Sequence, residues 1–378
     1  MRSLMGIRLL TGQVSPIVVD FGHASVKVLQ VTGGASPELV AAAELPIPED
    51  RRDDDEARDR FVSERLPPVL RNRGFKGRRV VVSPHAASTS IEHLQLATTE
   101  GVEPAEQVRL QMQSRLAGVG DLVVRSWHVG EVHRDEGLRH EHICVAIERR
   151  RVMRLVEMFR RLRMNVVGVH DGLGAMVRAF GHLHRRESDA ERRTVYIDLG
   201  HAHTGLAITR GTGIVFAKSM PTGGRDLFDL ASSVGPLEEP ASVEAASAAA
   251  PSRNGGAVSV AEDRRGDGVP DELRRRIPAS APPVVADDAL EHLRHEVAMC
   301  LRYHATLFPD EPAERVIFVG GEARRTEVCQ TLARALRLPA QLGDPLARLG
   351  GLDRAGLAEG PHPGWAVACG LSVSPTDL

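Results

Sequence analysis

Short runs of apolar residues that end at a glycine recur along the chain. The segments IVVDFG at 17–22 and SVKVLQV at 25–31 are typical of two buried strands joined by a tight turn. LVAAAELPI at 39–47 continues the pattern and predicts a third strand. Because neighbouring strands joined by tight turns pair antiparallel, we expect the chain to begin with a hairpin sheet.

The opening pattern returns in the second half of the chain. The segment TVYIDLGHAHTGLAITRGTGIVFAKSM at 194–220 again predicts a strand, an Asp-x-Gly turn, a strand, a glycine turn and a strand. Asp20 and Asp198, the acidic residues of the two turns, lie 178 positions apart. A supersecondary unit that is present twice predicts two similar domains that face each other.

A smaller unit is predicted between the repeats, from three strands and two helices. Its last helix carries apolar residues at helical spacing and seven arginines between Arg149 and Arg163. We interpret the basic face as solvated rather than as a surface for an acidic peptide or phosphates. The acidic run EDRRDDDEARD at 49–59 is interpreted in the same way, as a solvated helix start.

The composition changes abruptly after the second repeat. Residues 232–286 consist largely of Ala, Ser, Pro, Gly and charged residues, a mixture that cannot form a core and predicts disorder. Apolar periodicity then returns with a long helix and the strand RVIFVGG. The predicted segments are a first domain (14–87), an inserted subdomain (88–168), the closing strand and helix of the first domain (169–193), a second domain (194–231), the disordered stretch (232–286) and the closing part of the second domain (287–378).

Composition excludes several classes of function. The 378 residues are 42% hydrophobic with a formal net charge of −2, so bulk charge provides no attraction to nucleic acid or to an anionic membrane. Four scattered cysteines without a CxxC pair indicate buried thiols in a reducing compartment. We find no run of apolar residues long enough for a transmembrane segment and predict a cytoplasmic protein that binds no nucleic acid.

Three glycine-bearing turns carry the candidate chemistry. Asp20-Phe21-Gly22, Asp198-Leu199-Gly200 and Gly320-Gly321 each close a buried strand. One such turn is explained by backbone geometry alone, but three in this order indicate more. Amides of tight turns converge on phosphate oxygens, while carboxylates at strand ends hold hydrated magnesium. The two Asp-Gly turns are therefore predicted to clamp a polyphosphate between the domains.

Lys27 fits this interpretation. The chain uses arginine for 45 of its 48 basic residues, yet places a lysine on the strand after the first turn. Lysine is a compact point charge that reaches a phosphate without needing a bidentate partner. The alternative, an exposed strand residue without a function, stays open.

The motifs DFGHASVK, DLGHAHTG, PTGGRDL and FVGGEA together resemble the phosphate, connecting and adenosine motifs of the actin, heat-shock chaperone and sugar kinase superfamily. Within it the chain is most similar to the PilM family of type IV pilus assembly proteins. The unit at 88–168 resembles the inserted subdomain of PilM and of the division protein FtsA. The resemblance implies an α/β fold with two actin-like (ribonuclease H-like) domains around a nucleotide cleft.

The resemblance also assigns site residues for ATP and Mg. It implies that Asp20 and Asp198 hold magnesium through water. The residues it gives to the nucleotide are Gly22, Ser25, Lys27, Gly200 and Thr204 at the phosphates, Gly223 and Gly224 at a helix start beneath the site, Gly320 and Gly321 at the nucleoside, and Glu296 at the ribose or base. His23 and His201 stand in the phosphate loops where the family has small or hydroxyl residues, and His203 replaces a further hydroxyl, so they either narrow the clamp or bind phosphate when protonated.

A PilM-like function implies a cytoplasmic scaffold at the inner membrane. Its expected partner is the short cytoplasmic N-terminal peptide of a PilN-like membrane protein, bound between the first domain and the inserted subdomain, with an indirect link to the pilus motor ATPases. Residues 232–286 replace much of the subdomain that covers the nucleotide in the family. Because the sequence also offers no assured water-activating base, we expect slow ATP hydrolysis at most.

Two further functions of the same fold stay open, as does the choice between a pilus and a type II secretion machine. One is a sugar or small-molecule kinase, which requires a catalytic carboxylate in an acceptor pocket. The other is a pseudo-ATPase adaptor that retains the cleft only as a shape. A metal site is disfavoured because no carboxylate or thiol accompanies the three His-x-His pairs at ligand spacing, namely His140/His142, His182/His184 and His201/His203.

Overall fold

A computed structural model describes residues 14–34, 36–97, 101–134, 137–184, 186, 189–228 and 287–376. The predicted disordered stretch, 232–286, lies outside the described residues. No helix of the described ranges is long and apolar enough to cross a membrane.

The first domain is built on a five-stranded mixed sheet. Its strands are β1 (Ile17–Phe21), β2 (Ser25–Val31), β3 (Leu39–Pro46), β4 (Arg79–Ser83) and β8 (Asn165–Val169), in the order β3-β2-β1-β4-β8. β1 to β3 pair antiparallel, while β4 and β8 add in parallel. Val18, Val19 and Val81 are fully buried, which explains why the strands are apolar without alternation.

The second domain repeats this sheet. Its strands are β9 (Arg193–Leu199), β10 (Thr204–Arg210), β11 (Gly213–Met220), β12 (Arg315–Val319) and β13 (Ala340–Leu342), in the order β11-β10-β9-β12-β13. β9 to β11 pair antiparallel, and β12 and β13 add in parallel as β4 and β8 do. Equal strand order and direction in the two sheets confirm the predicted repeat, and the fold is that of two actin-like domains.

The inserted subdomain is a three-stranded antiparallel sheet with one helix on it. The sheet has the order β5-β7-β6 and consists of β5 (Thr89–Ala97), β6 (Leu122–Arg134) and β7 (Gly137–Glu148). Helix α2 (Pro104–Arg115) covers one face, where Leu94, Met112 and Cys144 are buried together. The other face packs against β11 of the second domain, and Trp127 Nε1 donates a hydrogen bond to Ile214 O.

Helix α3 (Arg149–Arg161) belongs to the core of the first domain. Its buried residues Leu155 and Phe159 pack with Val62 and Leu66 of α1 (Asp55–Asn72). β8, which follows α3, pairs with β4 in the first sheet. The insertion therefore ends at residue 148 rather than at 168, because the apolar stripe of α3 completes the first domain instead of the three-stranded sheet.

The acidic and basic helices predicted from the sequence meet each other. Asp54 caps α1 by accepting hydrogen bonds from the Glu56 and Ala57 amides, which confirms the predicted helix start. Asp55 and Asp59 of α1 accept from Arg151 and Arg154 of α3, each at 2.6 Å. These arginines are thus paired across two helices, an arrangement that the sequence did not predict.

The remaining helices fill the space between and behind the sheets. They are α4 (Gly172–Ala179), α5 (Gly224–Leu227), α6 (Asp287–Leu307), α7 (Thr326–Leu336) and α8 (Ala366–Ser372). α6 buries Leu293, Val297 and Cys300 in the second domain, on the face predicted from its periodicity. α4 and α8 pack so closely that a Cβ at Gly370 would overlap Ala175 O, as expected of a helix of small residues. All four cysteines are free and buried.

Candidate functional site

The two Asp-Gly turns line one cavity, to which both domains contribute residues. The cavity has a volume of about 330 Å³, within the range of small-molecule sites. The predicted residues that line it are Asp20, Gly22, His23, Ser25, Lys27, Asp198, Gly200, His201, Gly320 and Gly321. The fold thus brings together most of the residues that the sequence singled out.

The turns have matching backbone geometry. A Cβ at Gly22 would lie 2.7 Å from the carbonyl oxygen of Ser25, and a Cβ at Gly200 would lie 2.7 Å from that of His203. Gly320 has φ +95°, and a Cβ there would meet Leu199 O. Glycine is therefore required at these turns by close backbone approach, and each turn leaves room for a ligand to approach the main chain.

Asp20 and Asp198 are paired carboxylates with raised pKa values. Burial raises the pKa of Asp20 from 3.8 to about 7, with a further increase from the charge of Asp198 and an opposing effect of Lys27. Burial likewise raises the pKa of Asp198 to about 6, again opposed by Lys27. Two carboxylates that repel each other beside one cavity are groups that a divalent cation would stabilise in their ionised form.

Lys27 points into the cavity but is already paired. Its Nζ lies 3.2 Å from Glu44 Oε1 and 3.1 Å from Ser25 Oγ, and the Ser25 hydroxyl donates to Glu44 at 2.6 Å. Lys27 and Glu44 face each other directly in the β2–β3 pairing. Glu44 was not predicted as a site residue, and it competes with any phosphate for the lysine charge.

Four histidines form a continuous row across the cleft. The ring centroids of His23 and His201 are 5.6 Å apart in a stacked arrangement. His85 lies 5.3 Å from His23 and 6.1 Å from His203. All four line the cavity, so the histidines of the phosphate turns meet each other and an additional one from the loop after β4. We name this row, His23, His85, His201 and His203, the histidine cluster.

Burial disfavours the protonated form of three members of the histidine cluster, His23, His85 and His203. Burial lowers the pKa of His23 to about 4, assisted by the positive charge of Arg58 and opposed by Asp53. Burial also lowers the pKa of His85 to about 3, again with Arg58 as the next cause. The pKa of His203 is lowered by burial as well.

Polar contacts join the two domains beside the histidine cluster. Arg52 Nη1 lies 3.4 Å from His201 Nε2, and Arg225 Nη1 lies 3.4 Å from Asp53 Oδ1. These two contacts join the domains on this side of the cleft. Within the second domain, His201 Nδ1 lies 3.1 Å from Glu322 Oε1.

Four predicted residues do not line the cavity: Thr204, Gly223, Gly224 and Glu296. Thr204 is fully buried and donates to Thr222 O. Gly223 caps α5, and a Cβ at Gly224 would overlap the Glu322 side chain, so both support the site from beneath, where the sequence placed a helix start. Glu296 instead accepts from Lys218 Nζ at 2.6 Å on the β11 side of α6, and we leave it out of the site.

Other lining residues were missed by sequence reasoning. Asp171, at the end of β8, caps α4 by accepting from the Gly174 amide at 2.5 Å, and it lines the cavity together with Glu322 and Arg324. The dipeptide Asp171-Gly172 before an apolar run is a capping signal that could have placed it at a helix start. His85 carried no motif of its own.

The residues present fit a magnesium ion bound through water and a phosphate chain. Magnesium keeps several waters and takes one or two carboxylates plus phosphate oxygens, which suits Asp20 and Asp198. The close turns at Gly22 and Gly200 are cradles that a Cβ would fill. In the ranges that the structure describes, no group of three or more His, Cys, Asp or Glu side chains is arranged to hold a metal ion by direct ligation.

This fold and cleft define a protein with two actin-like domains around a ligand cavity. A solved structure described as the PilM-PilN type IV pilus biogenesis complex matches with a TM-score of 0.65 at 16% identity, covering 96% of this chain and 98% of that one. The similarity to PilM that the sequence suggested is thus confirmed at the level of the fold.

Other solved structures match more weakly. The ethanolamine utilization protein EutJ from Carboxydothermus hydrogenoformans has a TM-score of 0.46 at 13% identity, covering 97% of this chain and 91% of that one. A Bacteroides thetaiotaomicron protein with an actin-like ATPase fold has a TM-score of 0.42 at 8% identity, covering 91% and 95%. These likenesses are too distant to support a functional argument. No protein-family model and no curated protein matches the sequence.

Proposed function

We propose that this protein is an ATP- and magnesium-binding actin-like scaffold of a type IV pilus or related secretion complex, which docks a PilN-like membrane protein. One observation carries the proposal. Two repeated Asp-Gly turns, from the two halves of a chain with the fold of PilM, face the same cavity.

The cavity residues have distinct roles in this proposal. Asp20 and Asp198 hold the magnesium ion through water, and the ion supplies positive charge to the phosphates. The amides around Gly22 and Gly200 bind phosphate oxygens, and Lys27 adds a point charge once a phosphate displaces Glu44 from it. Gly320 and Gly321 line the part of the cavity assigned to the nucleoside.

The partner surface is proposed at the junction of the first domain and the inserted subdomain. A small groove next to this junction lies on the side of the first domain, between α1, α3 and the residue before β5, and includes Phe21, Ser88 and Leu155. Its polar rim is formed by the ion pairs between α1 and α3. The groove has a volume of only about 50 Å³, so we expect it to accept one small apolar side chain of the peptide, with the other contacts made on the charged surface around it.

The inserted subdomain provides a route from nucleotide to partner. Its inner face is fixed to β11 of the second domain by Trp127 and by His93, whose Nε2 lies 3.1 Å from Ala217 O. Because these contacts tie the inserted subdomain to the second domain, closure of the cleft on nucleotide binding moves the inserted subdomain relative to α1 and the groove. The size of the effect is limited by the difference in ATP affinity between open and closed states.

A pseudo-ATPase adaptor is the second candidate, and the cleft itself favours it over a kinase. Lys27 is bound to Glu44, and four histidines occupy the space between the phosphate turns. Both features oppose turnover, although neither prevents the cleft from serving as a rigid joint between partners.

A titration of MgATP, followed by a turnover assay and a peptide-binding assay, tests these functions. We expect MgATP to bind, to turn over slowly or not at all, and to change the affinity for the N-terminal peptide of a PilN-like protein. Binding of the peptide without any binding of MgATP would favour the adaptor. Sugar-dependent turnover would contradict both and favour a kinase.

A further inference from the structure

The side chains that line the cavity include more carboxylates than permanently positive groups. The described lining residues include five carboxylates, namely Asp20, Glu44, Asp171, Asp198 and Glu322. They include two side chains that carry a permanent positive charge, Lys27 and Arg324, and Lys27 is paired with Glu44. A magnesium ion offsets part of the charge of a triphosphate, but the remaining negative charge has to be compensated inside a partly closed cavity.

The histidine cluster is the group of side chains that can gain the missing positive charge. Its members come from both domains and three loops, and the rings lie 5.3 to 6.1 Å from their neighbours. The His23 side chain is 8% exposed. Its buried Nδ1 has no hydrogen-bond partner among the described residues. This ring nitrogen is therefore available to a ligand that enters the cavity.

Charged groups surround the histidine cluster on every packed element. They are Arg58 of α1, Arg52 and Asp53 of the loop before α1, Arg151 of α3, Arg225 and Asp226 of α5, and Glu322 after β12. Burial and the arginines keep His23 and His85 neutral in the free protein, with pKa values of about 4 and about 3. Asp53 acts in the opposite direction at His23.

We infer that the histidine cluster is a proton-binding phosphate subsite, in which the rings of His23, His85 and His203 donate hydrogen bonds to the phosphate chain and together take up about one proton when it arrives. This inference rests on the proposed nucleotide binding. A phosphate chain brings several negative charges and hydrogen-bond acceptors to within contact of the rings, and both effects favour the protonated imidazole. The same charge also raises the pKa of nearby carboxylates, but magnesium bound through water would keep Asp20 and Asp198 ionised, so the rings are the groups left to take up protons.

Calorimetry of MgATP binding in two buffers with different ionisation enthalpies measures the proton uptake directly. At about pH 7.5 and with excess magnesium, we expect the protein to take up about one proton per bound nucleotide. For each proton taken up, linkage makes binding about tenfold weaker per pH unit. The dissociation constant should therefore rise about tenfold between about pH 7.5 and about pH 8.5. Inorganic triphosphate with magnesium should take up protons in the same way, since it carries the phosphates alone.

A double variant, His23→Gln with His85→Gln, assigns the protons to the histidine cluster. We expect it to lose more than half of the proton uptake and to show a flatter pH dependence, while the carboxylates titrate as in the wild type. His128→Gln is the matched control, since His128 is an exposed histidine on β6 and does not line the cavity. If the double variant does not fold, the single variant His85→Gln replaces it, and we expect it to take up fewer protons than the wild type.

The possible failures are distinguishable. If MgATP binds the wild type without proton uptake and with the same affinity at both pH values, the inference is wrong while the proposed function stands. Equal proton uptake by the wild type and the double variant would also overturn it. If neither MgATP nor magnesium triphosphate binds at any pH, the proposed nucleotide site fails, and the inference fails with it.

Discussion

Replacing Asp20 with asparagine is expected to stabilise the folded protein, although Asp20 lies at the centre of the site. Above its pKa of about 7 the Asp20 carboxylate carries its charge while largely buried in the cavity wall, where Asp198 also repels it. Asparagine has nearly the same shape and mimics the protonated acid. A functional carboxylate that is held at a cost to stability is a common feature of ligand sites, and removing it increases stability.

The magnitude follows from the pKa. The folded protein raises the pKa of Asp20 from 3.8 to about 7, so the folded state holds the proton more tightly than the unfolded state. Below pH 3.8 both states are protonated and the cost is absent; it grows as the pH rises and is complete above about pH 7. At about 1.4 kcal/mol per pKa unit, the full cost is at most about 4 kcal/mol. Between about pH 5 and about pH 8 the cost increases by about 2 to 3 kcal/mol.

Denaturant unfolding of Asp20→Asn and of the wild type, without metal or nucleotide, measures this effect. We expect the variant to be more stable at about pH 8 and its advantage to shrink at about pH 5. Asp310→Asn is the control, because Asp310 is exposed and should give no change at either pH. Loss of stability in Asp20→Asn at about pH 8, or the same difference at both pH values, would refute the reasoning.

Three more variants test other contacts. Gly200→Ala places a Cβ 2.7 Å from His203 O and should lower both the melting temperature and the affinity for MgATP. Gly181→Ala is the control, because its Cβ would have open space around it and should change neither. Equal melting temperatures of Gly200→Ala and the wild type would contradict the turn geometry. Glu44→Gln releases Lys27 and should tighten MgATP binding about tenfold in a titration, so that weaker binding would show that Glu44 is needed in the site. His93→Ala removes the imidazole that lies 2.8 Å from the fully buried Glu141 carboxylate. We expect it to lower the free energy of unfolding by about 3 kcal/mol and to speed amide exchange in β11. His128→Ala should leave the free energy of unfolding and the exchange rates unchanged.

The two-domain architecture could be predicted from the sequence because its main elements are specified by strong local signals. The two hairpins, their Asp-Gly turns and a helix start within the acidic run 49–59 rest on strand periodicity, turn chemistry and the charge at helix ends, all of which act within a few residues. The repeat then fixed the relation between distant segments, since two equal hairpin sheets facing each other bring their turns to one cleft.

The site was only partly predictable because its remaining members depend on packing. His85 reaches the cleft because β4 pairs in parallel with β1, which aligns Ser83 with Asp20. Glu44 meets Lys27 through the β2–β3 register, which no local signal fixes. Glu296 was misplaced because the rotation of α6 about its axis is set by tertiary contacts, and that rotation directs Glu296 to Lys218.

The extent of the inserted subdomain shows the same limit. The apolar stripe of α3 was visible in the sequence, but an amphipathic stripe does not reveal which surface it covers. Leu155 and Phe159 pack into the first domain, and the arginines on the other side of α3 meet the carboxylates of α1.

A crystal structure of the protein with magnesium and a non-hydrolysable ATP analogue tests the central claim most directly. We predict that the phosphate chain lies between the turns at Gly22 and Gly200, with a metal ion whose waters contact both Asp20 and Asp198. A nucleotide bound to one domain alone, or a metal ion remote from either carboxylate, would contradict the claim that the two halves bind one ligand together.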